Sequence, residues 1–250
     1  MSNDQLYRSG KVTEDFTFNE QVAEVFDDML DRSVPFYRTV ISTTAALIRQ
    51  FIPPKSTVVD LGCSTGSALL ELARLLPELE LRLIGLDQAP AMLDKAQRKA
   101  EMFCKQIEFR QQDITAPDLA EQIAGADVIL CSYTMQFIRP LLRQDFVTNL
   151  YQALSAEGLL FLNEKIICSQ SLLNRKFINI YHEFKREQGY SELEIAAKRE
   201  ALENVLIPFT PEENLHLLRQ SGFIWAEVYF RWINFASFVA LKDTQHINEP

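Results

Sequence analysis

The stretch Val58-Val59-Asp60-Leu61-Gly62-Cys63-Ser64-Thr65-Gly66 constrains the chain more than any other. An apolar run from Thr57 to Leu61 reads as a buried strand. After the glycine turn, Leu69, Leu72, Ala73 and Leu76 fall at helical spacing. A strand, tight turn and helix in this order present backbone N–H groups and a helix N-terminus to a nucleotide-like ligand. The spacing is D-x-G-x-x-x-G, not the G-x-G-x-x-G of dinucleotide-binding folds, so pyrophosphate is disfavoured. An adenosine ligand with a charged tail and no phosphates fits better. S-adenosylmethionine is the leading candidate.

Composition bounds the class. The 250 residues are 47% hydrophobic and 24% charged, enough for one compact domain with a sizeable core. A formal net charge of −9 argues against a standing hold on nucleic acid, which depends on Lys and Arg at phosphates. Cys63, Cys104, Cys131 and Cys168 are scattered, with no C-x-x-C pair. They read as reduced, mostly buried thiols of a cytosolic protein, with no zinc site or disulfide frame. The opening Met-Ser-Asn-Asp-Gln lacks a signal-peptide layout, and no apolar run approaches membrane-spanning length. The expectation is a soluble cytoplasmic protein without metal.

Residues 1–15 are polar and read as loose. A helical pattern with Val22, Val25, Phe26 and Met29 on one face leads to a turn at Ser33-Val34-Pro35, and a second helical run stops before Pro53-Pro54. Residues 1–52 thus form a helical cap on a single 1–250 domain. Strands are predicted at 56–61, 81–87, 107–112, 126–132 and 157–164, and helices at 66–76, 89–103, 116–123 and 140–155. Such alternation means an α/β, Rossmann-like, mostly parallel sheet covered on both faces, with ligands at the carboxyl ends of its strands. Those ends carry Asp60, Asp87, Asp113 and Cys131-Ser132-Tyr133.

A helical insert at 168–205 breaks the rhythm. Thr210-Pro211-Glu212-Glu213 then provides an N-cap, a first-turn proline and a capping-box glutamate, and Gly222 closes that helix. Strands at 224–231 and 234–241 bring the sheet to seven. A βα series that ends in a tight hairpin is the arrangement of class I methyltransferases, whose last strand inserts antiparallel.

Several residues admit two readings. Asp87 is placed to accept both ribose hydroxyls, or to cap the helix after it. Asp113-Ile114 fits adenine, or is an ordinary loop pair. Gly62 and Gly66 allow close backbone approach. Cys63 reads as a small packing group more readily than as a nucleophile. Tyr37 can cover the ligand or be a half-buried helix aromatic. His182 reads as a packed histidine, Arg199 as a solvated helix residue, and Trp225 and Trp232 as core or rim aromatics.

From about Phe16 to Lys242 the chain resembles the carboxy-S-adenosylmethionine synthases. The resemblance rests on Val22-Ala23-Glu24-Val25-Phe26, Arg32-Ser33-Val34-Pro35, Tyr37 and the glycine turn, then Thr134-Met135-Gln136-Phe137 and Glu164-Lys165. It is most specific in the insert, at Phe184-Lys185-Arg186, Gly189-Tyr190-Ser191-Glu192-Leu193-Glu194-Ile195, Lys198-Arg199 and Leu202-Glu203-Asn204-Val205. Asn234-Phe235 closes the series.

The resemblance implies an enzyme that converts S-adenosylmethionine and prephenate to carboxy-S-adenosylmethionine and phenylpyruvate. A sulfonium ylide captures carbon dioxide released from prephenate, and the product supplies a tRNA carboxymethyltransferase that modifies a wobble uridine. By position, Tyr37, Gly62, Cys63, Ser64, Asp87, Gln88, Asp113, Ile114, Ser132 and Arg199 hold the nucleoside ligand, with Arg199 and Tyr37 at the reacting centre. Arg199 reaches the site from a neighbouring subunit, which implies a homodimer, and its guanidinium suits the new carboxylate. Two positions depart from the family: Ser132 and Gln88 stand where it carries Asn. A shorter serine leaves room for a bridging water. The rival readings are a conventional small-molecule methyltransferase and a non-catalytic nucleoside-binding dimer.

Overall fold

A computed structural model describes residues 4–12 and 15–242. Seven strands form one sheet: β1 Thr57–Leu61, β2 Arg82–Asp87, β3 Glu108–Gln111, β4 Ala126–Ser132, β5 Leu154–Lys165, β6 Trp225–Trp232 and β7 Phe235–Leu241. Their order is β3-β2-β1-β4-β5-β7-β6. Pairing is parallel from β3 through β5, whereas β7 runs antiparallel to both β5 and β6. The strand order reverses between β1 and β4, and a crevice opens there beyond the strands' carboxyl ends.

The apolar runs follow from burial on both faces. Successive side chains of a strand point to opposite sides. Val59, Leu61, Ile84, Leu86, Ile129 and Cys131 enter one core cluster, while Val58, Leu83, Val128 and Leu130 enter the other. Helices α5 Leu119–Gln122, α6 Arg143–Ala153 and α9 Pro211–Gln220 cover the first face. Helices α2 Tyr37–Phe51, α3 Ser67–Leu75 and α4 Pro90–Met102 cover the second. Helix α1 Glu20–Ser33 packs Val22, Val25, Phe26 and Met29 into a third cluster with Met92 and Ala201. The insert holds α7 Ser171–Glu187 and α8 Glu192–Leu202.

A polar clamp fixes α1 over the sheet edge. The Asp27 carboxylate accepts from the hydroxyls of Thr65 (2.6 Å) and Ser67 (2.8 Å) and from Lys99 Nζ at 2.9 Å. One aspartate thereby joins α1 to the glycine turn and to α4. Although burial works the other way, the Lys99 charge and these donors hold the Asp27 carboxyl below the usual carboxylate range.

The capping signals hold. Thr210 and Glu213 close a reciprocal capping box with Pro211 in the first turn, and Ser191 and Glu194 close another on α8. Some boundaries shift. The helix predicted at 116–123 shrinks to Leu119–Gln122, because Ala116 precedes Pro117 and is biased away from helical backbone. The 140–155 helix begins only at Arg143, after a 3-10 turn at Pro140–Leu142. It ends at Ala153, where Leu154 enters β5 opposite Ala126.

The looseness expected of residues 1–15 fails for residues 4–12; residues 1–3, 13 and 14 lie outside the described residues. Asp4 is 2% exposed, with its carboxylate 2.6 Å from the Tyr190 hydroxyl and 3.5 Å from Lys198 Nζ. A buried carboxylate with a cation and a donor cannot lie in a loose tail. The thiols are also less uniform than expected: Cys63 and Cys131 are buried, Cys168 is half-buried and Cys104 is exposed.

Candidate active site

The crevice at the strand ends is a cavity of about 410 Å³, within the usual range for small-ligand sites. Every strand from β3 to β5 contributes to its wall at or just past its carboxyl end. In sheet order these residues are Asp113, Asp87, Asp60, Ser132 and Lys165. Three acids thus occupy one side and an ammonium the other.

On the acidic side, the glycine turn wraps around β2. Gly62 N and Cys63 N donate to the Leu86 carbonyl, and Ser64 N donates to the Asp87 carboxylate at 2.9 Å. The other Asp87 oxygen accepts from Ala89 N at 2.9 Å, at the start of α4. The helix-cap reading does not hold, since the N-cap of α4 is Ala89 and no side chain caps it; Asp87 instead braces the turn into the helix, and each oxygen keeps a lone pair. Burial pushes its carboxyl upward, against three backbone donors.

Protein neighbours by themselves exclude a side chain at both glycines. Gly62 has φ +68°, and a Cβ there would meet Thr134 Oγ1 at 2.5 Å. Gly66 has φ +72°, and a Cβ there would meet the Phe109 ring at 2.9 Å. Cys63 is buried with its Sγ filling the space above Gly85, and burial and nearby acids push its thiol well up. The packing reading fits it, and a thiolate nucleophile does not.

Asp113 is exposed at the cavity rim. One of its carboxylate oxygens accepts from the Thr115 N–H (2.8 Å) and hydroxyl (2.7 Å), which shapes the loop that carries Ile114. Gln88 also lines the cavity. The Ser132 hydroxyl accepts from Asn163 Nδ2 at 2.8 Å. An asparagine one strand away thus lies beside the position where an asparagine was expected.

Tyr37 stands at the start of α2, with its ring 6.3 Å from Tyr133. Tyr133 meets Phe235 at 6.2 Å, and Phe235 meets Tyr181 of α7 at 5.1 Å. This chain of rings forms a continuous aromatic wall from the acidic side to Lys165, whose Nζ lies 5.2 Å from the Tyr181 centroid. Phe36 and Phe184 gather with Trp232 at the rim, and Trp225 is 55% exposed. His182 is half-buried beside Tyr181 and does not line the cavity.

Arg199 lies on the exposed face of α8, and Lys198, not Arg199, lines this chain's cavity. Within one chain, therefore, Arg199 is not brought together with Asp87 and Asp113. Sequence reasoning left Asp60, Tyr133, Lys165, Tyr181 and Lys198 out of the ligand set. The strand-end rule sets Asp60 and Tyr133 at the ligand edge without giving them a role, and it could have found Lys165 too. Burial, then the Asp87 charge, push the Asp60 carboxyl up to about 8. Burial, then Arg199, pull the Lys165 ammonium down to about 8.

Residues 58–158 match the model of a methyltransferase domain. The chain is 50% identical to a carboxy-S-adenosyl-L-methionine synthase of Desulfotalea psychrophila, over 96% of this chain and 97% of the relative. A synthase of the same name from Nautilia profundicola is 44% identical over 92% and 96% of the two chains. The chain belongs to the carboxy-S-adenosyl-L-methionine synthase family. Among solved structures, human N-acetylserotonin methyltransferase with S-adenosylmethionine superposes with a TM-score of 0.60 at 16% identity, covering 90% of this chain and 56% of that one. Magnesium protoporphyrin IX methyltransferase of Synechocystis, with bound S-adenosylhomocysteine, gives 0.56 at 16% identity and 83% coverage of each chain. These likenesses show the fold, that of the class I methyltransferases. Among the described residues no helix is long and apolar enough to cross a membrane.

The synthase-family blocks have physical roles here. Gly189 at φ +88° turns the chain, Tyr190 reaches Asp4, and Ser191 with Glu194 starts α8. Glu164 is 2% exposed, with backbone donors of 134–136 near it and its Oε1 buried without a hydrogen-bond partner, while Gln136 Oε1 accepts Lys165 N at 3.0 Å. The Thr134-Met135-Gln136-Phe137 and Glu164-Lys165 blocks therefore hold each other at the crevice. Burial pushes the Glu164 carboxyl up to about 8, against the nearby Arg143 and those donors.

Proposed function

We propose that the protein converts S-adenosyl-L-methionine and prephenate to carboxy-S-adenosyl-L-methionine and phenylpyruvate. The ring carboxylate of prephenate leaves as carbon dioxide, and the electron pair of the broken C–C bond aromatises the ring and expels hydroxide. That hydroxide leaves as water with the proton lost from the sulfonium methyl. The resulting ylide carbon forms the new C–C bond to carbon dioxide. The product is the carboxymethyl donor for a tRNA-modifying enzyme, and the reaction runs in the cytoplasm with no direct contact to nucleic acid.

The observation that carries this reading is one cavity with acidic strand ends on one side and a lysine on the other. On this reading Asp87 takes the ribose and Asp113-Ile114 the adenine, while Gly62, Cys63, Ser64, Gln88 and Ser132, which line the same cavity, surround the nucleoside. Asp60 and Tyr37, also in the lining, would face the cationic sulfonium end. The new carboxylate needs a bidentate donor. Arg199 is exposed on α8, beside its own chain's Lys165 and outside its cavity lining, and on this reading the donor is Arg199 of the second copy in a homodimer.

Dissociation constants of both nucleosides for wild type and Arg199→Ala test this assignment. A buried charge pair predicts a loss of about 2–5 kcal/mol for the carboxylated ligand and a far smaller loss for S-adenosylmethionine. Equal losses would move a conventional methyltransferase ahead.

A further inference from the structure

The chain buries several ammonium groups and pairs most of them. Lys99 sits 2.9 Å and Lys95 3.7 Å from the Asp27 carboxylate, and Lys198 lies 3.5 Å from Asp4. Lys165 and Lys185 are different. Among the described residues neither has a carboxylate within ion-pair distance, although Lys185 is 6% exposed. Both stand over the Tyr181 ring, at 5.2 and 4.7 Å. Tyr181 and Lys165 line the cavity, Lys185 does not, and Tyr181 joins the aromatic wall through Phe235.

An aromatic face offsets only part of what an ammonium loses on leaving water. The remaining neighbours make the deficit worse. Lys198, Arg199 and the half-buried His182 lie around the pair. Burial, then Lys165, Lys198 and Arg199, pull the Lys185 ammonium down to about 7. An excess of positive charge walled by aromatic rings is suited to an organic anion.

We propose that Lys165, with the Lys185 charge beside it at the Tyr181 ring, forms the carboxylate-binding subsite for the acidic second substrate, whose ring lies against Tyr181 and Phe235. This rests on the function proposed above and extends it to named residues. The subsite lies two strands from β1, a separation of about 10 Å at the usual strand spacing. An acid held there is close to the sulfonium end without overlapping the nucleoside. The carboxylate it holds is the one that survives the reaction. A cation on the departing carboxylate would stabilise the ground state and oppose loss of carbon dioxide. Holding the pyruvyl carboxylate instead leaves the ring carboxylate free to break away.

Phenylpyruvate keeps that carboxylate and lacks the other, so it is the probe. Its dissociation constant is measured by titration into the full-length, S-adenosylmethionine-loaded protein, for wild type, Lys165→Gln and Lys165→Arg. Loss of a charge-assisted contact predicts weakening of about tenfold or more in Lys165→Gln, with partial recovery in Lys165→Arg. The KM for prephenate rises in parallel, and affinity for S-adenosylmethionine stays within about twofold. Unchanged phenylpyruvate affinity overturns the subsite. So does an equal loss for S-adenosylmethionine, which would give the lysines to the methionine carboxylate. Where Lys165→Gln does not fold, Lys185→Gln, which removes the neighbouring charge, weakens phenylpyruvate in the same direction and leaves S-adenosylmethionine unchanged. Lysine-dependent phenylpyruvate binding without turnover of prephenate would uphold the subsite and reject the proposed reaction; turnover that ignores both lysines would do the reverse.

Discussion

The carboxylate of Asp87 accepts the backbone N–H of Ser64 at 2.9 Å, so the residue assigned to the ribose also holds the glycine turn in place. Ser64 has φ +49°, a left-handed conformation that side chains other than glycine's disfavour. The end of β2 thus secures a strained residue in the loop after β1.

Asp87→Ala should therefore act twice. Two ribose hydrogen bonds at about 1 kcal/mol each give an affinity loss of about 2 kcal/mol for S-adenosylmethionine. Loss of the hydrogen bond from Ser64 N to a charged carboxylate lowers stability by about 1.5–3 kcal/mol. Calorimetric titration and chemical denaturation read the two effects separately. Unaltered affinity would remove Asp87 from the ribose.

Asp60 gives a pH-dependent expectation. Its carboxyl is raised to about 8 in the folded protein, above the ordinary unfolded value of roughly 4. The folded state therefore holds the proton more tightly. The stability this contributes is fully present below roughly pH 4 and is lost as pH rises through about 8. Asp60→Asn should match wild type in melting temperature at low pH and exceed it increasingly towards pH 8. A constant difference across that range would contradict the assignment. Binding of the sulfonium cation should also release protons near neutral pH, visible as a binding enthalpy that varies with the buffer's ionisation enthalpy.

What could be read from sequence was local. The strand, turn and helix around Gly62, with Asp87 about one βα unit later, involve neighbours in the chain, and their spacing carries the geometry. Thr210 and Glu213 were legible for the same reason. The cation side of the cavity was not. Lys165 ends β5, Tyr181 and Lys185 sit on α7, and Phe235 begins β7. Only the antiparallel insertion of β7 beside β5 brings these residues together. Asp4 was misjudged because a polar terminal segment gives no sign that Tyr190 and Lys198 wait for its carboxylate. The contact that excludes a Cβ at Gly62 comes from Thr134, beyond β4, and so no local pattern announces it.

The exposed side of the insert bears on assembly. Leu172, Leu173 and Ile180 are 57%, 47% and 39% exposed and fall within one face of α7, beside the helix that carries Arg199. Leu172→Glu with Leu173→Glu should convert a dimer to a monomer in light scattering. If Arg199 of the partner subunit completes each site, turnover should fall with dissociation. Full activity in a monomer would remove the shared site.

The most direct measurement of the central claim follows a carbon atom. The protein is incubated with S-adenosylmethionine and prephenate labelled with carbon-13 at the ring carboxylate, and the nucleoside product is weighed by mass spectrometry. The account predicts S-adenosylmethionine heavier by one labelled carbon dioxide, with phenylpyruvate formed in equal amount and unlabelled. A nucleoside that leaves as S-adenosylhomocysteine, or that gains no label while prephenate is consumed, would contradict it.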